Sequence, residues 1–273
     1  MPMRFDAQIV VPAAVEILQP HHPMTLRQVF YRLVARQLIA NSNQHYDTLS
    51  KALIRARKDD TIPWEWIEDR LRWPRQVSMW PSIRAFGADV VQDYRRDIWA
   101  TQPRYLELWV EKDALSGIFQ ELLWPYGVTL NVGRGYDSWS SVKNTADRFA
   151  QHANPLVLYF GDFDPSGEHM VVNLRERLEW FDVGFEIEKV ALTRQDIDDY
   201  DLPPDFTKAS DTRAAAHIAR HGDIAVELDA LPVEVLRQRI VESVEANMDL
   251  EALARVRRRE TADRNKIKRL LGV

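Results

Sequence analysis

The stretch LYFGDFDPSG, Leu158–Gly167, decides the fold. It closes an apolar run with an acidic, glycine-containing turn, and a helical pattern follows. The same succession occurs twice earlier, where Tyr105–Val110 leads into Glu111-Lys112-Asp113 and Val128–Val132 leads into Gly133-Arg134-Gly135. Strand, turn and helix repeated three times predict β/α alternation and a parallel sheet. In such sheets, ligand-binding residues gather at the carboxyl ends of the strands.

Composition sets the broad class. The chain has 273 residues, a length that suits one large domain or two modest ones. It is 45% hydrophobic and 28% charged, which is ordinary for a soluble globular protein. It contains no cysteine, which excludes disulfides, thiolate nucleophiles and iron–sulfur clusters. No apolar run approaches the ~20 residues of a membrane helix. We therefore expect a cytoplasmic protein (nucleoid-associated in a prokaryote) without membrane contact, with domains over residues 1–100 and 101–273.

The net charge of −5 is unevenly distributed. Residues 1–104 carry 15 basic and 11 acidic side chains, residues 105–254 carry 13 and 28, and residues 255–273 carry 8 and 2. A basic front and a basic helical tail around an acidic middle suit a protein that binds a polyanion and also divalent cations. Three solvated surfaces without a common purpose are the alternative.

Further helical patterns lie around Ala209–Arg220 and after Pro232.

Helical periodicity dominates the first hundred residues. It predicts helices over Ala7–Leu18, from Thr25 to Leu38 and over His45–Lys58, the second opening with the spacing of a capping box. The turn-rich, aromatic segment Asp59–Trp73 predicts a small hairpin. Three short helices and a hairpin predict a winged helix-turn-helix, whose third helix enters the DNA major groove.

The third predicted helix is basic. It carries four cationic side chains: Lys51, Arg55, Arg57 and Lys58. Proteins neutralise DNA phosphates with such residues, so we expect these four to bind double-stranded DNA with little regard to its sequence.

Three acidic residues follow two of the predicted strands. Asp162 and Asp164 are two positions apart, so their carboxylates point to one face, with the backbone positions about 6–7 Å apart. Glu111 ends the first strand. Close carboxylates repel unless a cation joins them, and Mg²⁺ prefers carboxylate and water ligands. All three are therefore candidate metal ligands, with Glu111 also a candidate general acid or base. The alternatives are a solvated Asp-x-Asp turn and a Glu111 that pairs with Lys112 or caps the next helix.

Tyr31 is the candidate nucleophile. It lies in the second turn of its predicted helix, with Arg27 one turn earlier on the same face. A phenol has an unperturbed pKa of about 10 and needs help to attack phosphate. Arg27 could favour the phenolate or hold the phosphate under attack. The alternative is an amphipathic tyrosine at a helix surface, one of eight tyrosines in the chain.

Four motifs occur in an order that resembles a known family. They are TLRQVFYRL (Thr25–Leu33), LWVEKDALSGIF (Leu108–Phe119), GRGYDS (Gly133–Ser138) and LYFGDFDPSG (Leu158–Gly167). Together they resemble the A subunit of topoisomerase VI and its relative, the meiotic double-strand-break transesterase. The resemblance covers the chain to about residue 200.

The resemblance implies a fold and a mechanism. A winged-helix domain would carry the catalytic Tyr31 with Arg27, and a Toprim domain would hold Mg²⁺ on Glu111, Asp162 and Asp164. Tyr31 would attack a backbone phosphate of double-stranded DNA and stay joined to the 5′ end, and resealing would reverse this step.

The resemblance also implies an assembly. Family members are homodimers in which the tyrosine of one subunit meets the metal site of the other. A mixture of Tyr31→Phe and Asp162→Asn proteins is then expected to regain nicking. The extension that docks the ATPase B subunit is expected to be absent. The resemblance therefore leaves open whether ATP drives strand passage in this type IIB topoisomerase-like protein.

Three other functions remain open. A Toprim nuclease would activate water with the metal and leave Tyr31 structural. A non-catalytic DNA-binding or assembly protein would keep the fold without cleavage, and a primase-like polymerase would use the same acids to incorporate nucleotides. Protein covalently joined to 5′ ends distinguishes the transesterase from all three.

Overall fold

The computed structural model describes residues 5–68, 77–133, 138–204 and 213–273. Within these ranges the chain is an α/β protein, with a helical N-terminal segment followed by a four-stranded parallel sheet flanked by helices. The α/β class expected from the sequence is confirmed. Arg134–Asp137, within the GRGYDS motif, lie outside the described residues.

Three helices form the N-terminal segment: α1 (Ala7–His21), α2 (Leu26–Ala35) and α3 (Asn43–Lys58). The predicted capping box at the start of α2 is confirmed. Thr25 Oγ1 accepts a hydrogen bond from the Gln28 N–H at 3.3 Å, and Gln28 Oε1 accepts one from the Thr25 N–H at 2.7 Å. The apolar side chains of this segment form a core of their own, from Val10 to Ile67.

Two of these helices end elsewhere than predicted. α1 continues past Leu18 and includes Pro20, because the His22 N–H still reaches the Leu18 carbonyl at 2.8 Å and keeps the last turn closed. α2 ends at Ala35, before the predicted Leu38. Gln37 there takes a positive φ of 56°, which a right-handed helix cannot contain.

The segment after α3 does not form a hairpin within the described residues. Instead β2 (Ile67–Glu68) pairs in parallel with β1 (Met24–Thr25), the short strand that leads into α2. The rest of the predicted hairpin, residues 69–73, lies outside the described residues. A sequence pattern of turns and aromatics could not distinguish these pairings, because the partner strand is 43 positions earlier.

The sheet contains the three predicted strands and a fourth: β3 (Leu106–Val110), β4 (Thr129–Val132), β5 (Leu156–Phe160) and β6 (Glu186–Ala191). Their order is β4-β3-β5-β6, and every pair is parallel. β3 and β5 are neighbours, with Val110 in register with Phe160, so both strands end at the same level. This places the turns that follow them side by side.

Helices cover the sheet and extend beyond it: α5 (Ser116–Leu123), α6 (Trp139–Phe149), α7 (Pro165–Glu179), α8 (Arg194–Asp199), α9 (Ala214–His221), α10 (Val233–Glu245) and α11 (Leu250–Leu271). The expected helix around 209–220 corresponds to α9, residues 209–212 being outside the described part. A further helix, α4 (Ile83–Asp93), packs against α11. In the described ranges, no helix combines the length and apolar character needed to span a membrane.

Candidate active site

Glu111 and Asp162 meet at the carboxyl edge of the sheet. Glu111 follows β3 and Asp162 follows β5, and the Asp162 N–H donates a hydrogen bond to Glu111 Oε2 at 3.0 Å. Burial raises the pKa of the Glu111 carboxyl; the Asp162 N–H opposes this shift, and the neighbouring Asp164 carboxylate adds to it. The two acids therefore lie together, as their positions at the ends of two strands of one parallel sheet predicted.

Two glycines make this approach possible. A Cβ atom on Gly161 would lie 2.7 Å from Glu111 Oε2, and one on Gly167 would lie 2.4 Å from the Asp162 carbonyl oxygen. Both distances are too short for any side chain. The glycines of the FGDFDPSG turn therefore serve the close packing of the acids.

Asp164 caps a helix. Its Oδ1 accepts a hydrogen bond from the Gly167 N–H at 2.6 Å at the first turn of α7, with Pro165 as the first helical residue. This is the usual arrangement of an N-cap aspartate followed by proline. One carboxylate oxygen of the predicted metal ligand is thus occupied by the backbone.

Asp162 is buried and bonded to a segment far along the chain. Its Oδ1 accepts a hydrogen bond from the Leu228 N–H at 2.7 Å and lies 3.3 Å from Lys112 Nζ. Burial raises the pKa of Asp162 to about 7, with Lys112 opposing the shift and Glu111 adding to it. The contact with Leu228 follows from a two-residue bridge between Phe163 and Val226, whose N–H and C=O groups bond in both directions at 2.8 and 2.9 Å.

Lys112 is the cation of the cluster. Besides Asp162, its Nζ lies 2.8 Å from Glu227 Oε2 and 3.2 Å from Asp229 Oδ2. Burial would lower the pKa of Lys112, but the carboxylates of Asp229, Asp162 and Glu227 outweigh it and hold that pKa above its ordinary value. Asp229 Oδ1 is buried without a hydrogen-bond partner. We call Lys112, Asp162, Glu227 and Asp229 the Lys112 cluster.

Tyr31 extends from α2 to this cluster. Its hydroxyl donates a hydrogen bond to Glu227 Oε2, the oxygen that Lys112 also contacts. Burial and the bond to Glu227 raise the pKa of Tyr31 to about 12. The Arg27 guanidinium lies 5.9 Å from the centroid of the Tyr31 ring. The two candidates from the N-terminal segment therefore lie beside the acids of the sheet within one chain.

The three predicted magnesium ligands are already engaged in other contacts. In the described part of the chain, no group of three or more His, Asp or Glu side chains is arranged so that it could hold a metal ion. Glu111 and Asp164 each give one oxygen to a backbone N–H, and Asp162 is paired with Lys112. As placed, the three acids do not fit a shared Mg²⁺, so the magnesium site stays a prediction.

The sequence interpretation missed Glu227, Asp229 and the role of Lys112. The sequence suggests Lys112 only as a partner of Glu111, yet in the structure it pairs with Asp162, Glu227 and Asp229. A local signal does exist: Glu227 and Asp229 flank the buried Leu228 just before Pro232, as two acids within an apolar stretch. Nothing in that pattern indicates which partner the acids meet.

The predicted DNA-binding residues divide into two groups. Lys51, Arg55 and Lys58 are exposed on α3. Arg57 is instead half-buried: its Nη2 donates to the carbonyls of Trp64 and Ile67 at 3.0 and 3.2 Å. Arg57 thus holds the segment after α3 in place, whereas the other three reach solvent, with Arg55 also 3.7 Å from Asp59 Oδ2.

Comparison with known proteins does not assign the chain to a family. No protein-family model matches the chain, and no curated protein matches it significantly. The resemblance to the topoisomerase VI A subunit therefore remains a prediction from four motifs, and function must be argued from the site itself.

Proposed function

We propose that this protein is a DNA-cleaving transesterase in which Tyr31 attacks a backbone phosphate and becomes joined to the 5′ end. The observation that carries the proposal is the contact between the Tyr31 hydroxyl and Glu227, which places a potential nucleophile beside buried acids at the sheet edge. A nucleophile hydrogen-bonded to a base that is itself held by a third group is the usual pattern of covalent catalysis.

Charge supports DNA as the substrate. Residues 1–104 are net basic, and Lys51, Arg55 and Lys58 project from α3 into solvent. The Arg27 guanidinium lies 5.9 Å from the centroid of the Tyr31 ring, and in this proposal it contacts the phosphate under attack. Phosphate contacts of this kind bind DNA without reading its sequence. Substrate binding and cleavage would then use neighbouring faces of the N-terminal segment.

The finer parts of the proposal come from the resemblance alone. They are a winged-helix fold for residues 1–100, a Toprim fold for residues 101–273, a homodimer, and Mg²⁺ on Glu111, Asp162 and Asp164. Because the acids do not form a three-ligand site as placed, no step proposed here depends on the metal.

Tyr31→Phe is the direct test, because it removes one oxygen and leaves the ring in place. Supercoiled plasmid is incubated with Mg²⁺, denatured with and without protease, and run on a gel; a parallel reaction contains EDTA. We expect the wild type to yield linear or nicked DNA carrying protein, and Tyr31→Phe to yield none. Tyr46→Phe is the matched control, since Tyr46 belongs to the same core and packs against Phe30.

A nuclease that uses water is the second candidate. It is favoured by one observation: burial and the bond to Glu227 raise the pKa of Tyr31 to about 12, which disfavours the phenolate needed for attack. Cleavage by Tyr31→Phe at the wild-type rate, without protein on the 5′ ends, would establish the nuclease and refute the transesterase.

A further inference from the structure

Glu227 is placed to act on the proposed nucleophile. Its Oε2 accepts the hydrogen bond from the Tyr31 hydroxyl and lies 2.8 Å from Lys112 Nζ. Glu227 precedes the short helical turn Leu228–Ala230, whose first N–H binds Asp162. Lys112 therefore contacts the Glu227 carboxylate directly, while the N–H of the next residue fixes the backbone at the sheet edge.

The protonation states of the pair are complementary. Burial would raise the pKa of Glu227, but Lys112, the Tyr31 hydroxyl and Arg27 together lower it below its ordinary value. Tyr31 has the opposite shift, because burial and the anionic Glu227 stabilise the neutral phenol. At neutral pH the resting state is thus a carboxylate facing a protonated phenol, and attack on phosphate requires that the proton be removed.

We propose that Glu227 is a catalytic residue, the general base that accepts the Tyr31 proton during attack; this rests on the transesterase function proposed above. As the bond from Tyr31 Oη to phosphorus forms, the phenolic proton passes to Glu227 Oε2. The bond from phosphorus to the 3′ oxygen breaks, and the 3′ oxygen keeps the electron pair and takes a proton from water. That water is left as hydroxide, and because Glu227 holds the phenolic proton the net change in protons is zero. In the reverse reaction, protonated Glu227 returns its proton to the tyrosine oxygen.

Other groups near Tyr31 are less suited to this role. Among the described residues, Glu227 is the carboxylate hydrogen-bonded to the hydroxyl, whereas Asp162 and Asp229 contact Lys112 on its other sides. Arg27 is a permanent cation and cannot accept a proton. Lys112, protonated and surrounded by carboxylates, orients Glu227 and is a positioning residue.

Glu227→Gln tests the proposal, with Glu234→Gln as the matched control. Glu234 also links α2 to the same part of the chain, through Arg32 at 3.5 Å, but does not reach Tyr31. The measurement is the single-turnover rate of covalent adduct formation on a duplex oligonucleotide. General-base catalysis contributes about 10²–10⁴-fold, so we expect Glu227→Gln to slow the reaction at least 100-fold. We expect Glu234→Gln to stay within about 2-fold of the wild type.

A fluorinated tyrosine incorporated at position 31 distinguishes a general-base role of Glu227 from a purely structural one. Its more acidic phenol ionises without help, so it should restore most of the rate to Glu227→Gln and make that rate rise with pH through the phenol's own titration. No restoration would overturn the general-base role. Equal adduct rates for wild type and Glu227→Gln would overturn it as well, while leaving the transesterase intact. Absence of any Tyr31 adduct in the wild type would refute the proposed function and with it this inference.

Discussion

Lys112 Nζ lies 2.8 Å from Glu227 Oε2, and this contact joins the edge of the sheet to the segment that holds Tyr31. Lys112 is two positions after the last residue of β3, so a buried strand fixes its place at the sheet edge. Glu227 is 115 positions later and reaches the edge through the bridge between Phe163 and Val226. The pair is therefore the point at which three distant parts of the chain meet.

Lys112→Met should destabilise the fold strongly. It leaves Asp162, Glu227 and Asp229 without their cation, and breaking a buried ion pair by removing one partner costs about 3–5 kcal/mol. Urea denaturation at pH 7 measures the loss. Lys143→Met is the control, because Lys143 pairs with Asp147 on the exposed surface of α6, where such pairs contribute about 0–1 kcal/mol. Equal losses for both variants would contradict the importance of the cluster.

The sequence predicted those helices and strands whose determinants lie within a few consecutive residues. The capping box at Thr25 and the apolar runs of β3, β4 and β5 each lie within a few consecutive residues. The end of α2 depends on the positive φ of Gln37, which no periodicity indicates. The pairing of Ile67–Glu68 with the strand before α2 depends on tertiary packing.

The candidate site was predictable in part for the same reason. Adjacent strands place Glu111 and Asp162 at one edge, which topology alone indicates. Tyr31 and Glu227 are 196 positions apart, and no spacing rule connects residues at that distance. Glu107 is a further residue whose role the sequence did not reveal. It lies within the apolar run that forms β3, and a buried acid in a strand requires hydrogen-bonding partners.

Glu107 should be essential for stability. It is fully buried in β3 and accepts hydrogen bonds from Tyr105 Oη at 3.0 Å, Asn131 Nδ2 at 2.7 Å and Arg148 Nη2 at 2.8 Å. Glu107→Ala removes the shared acceptor of these donors and the buried counter-ion of Arg148, and we expect a loss of about 3–5 kcal/mol in denaturant unfolding. Glu121→Ala removes an exposed partner of Arg237 and should cost less than about 1 kcal/mol. A Glu107 variant as stable as the Glu121 variant would show that the network contributes little.

Gly167→Ala should displace the acidic turn. The added Cβ would lie 2.4 Å from the Asp162 carbonyl oxygen, and backbone atoms cannot rotate away as a side chain can. Overpacking of this kind costs about 1–3 kcal/mol or more, and the bond between Asp162 and Glu111 should lengthen in a crystal structure of the variant. Gly184→Ala is the control, since a Cβ there meets no atom within 4 Å. Its unfolding midpoint should match that of the wild type.

The stability of the wild type should fall as the pH rises from about 4 to 7. Burial raises the pKa of Asp162 from 3.8 to about 7, so over this range the folded protein binds a proton that the unfolded chain has released. One such proton gives a slope of up to about 1.4 kcal/mol per pH unit. Asp162→Asn removes the titrating group and should flatten this part of the curve in urea unfolding. Identical slopes for the two proteins would mean that Lys112 keeps Asp162 ionised throughout.

The last prediction concerns which subunit supplies the acids to Tyr31. The resemblance implies a partner subunit, whereas here Tyr31 is bonded to Glu227 of its own chain, and Lys112 connects that residue to Asp162. We therefore expect each chain to hold a self-contained site. In heterodimers of Tyr31→Phe and Glu227→Gln, isolated with two affinity tags, one site would lack the nucleophile and the other its base, so both sites would be defective. Covalent adduct should stay at the level of either variant alone. The two-subunit arrangement would instead assemble one competent site per heterodimer, and nicked plasmid carrying protein would return.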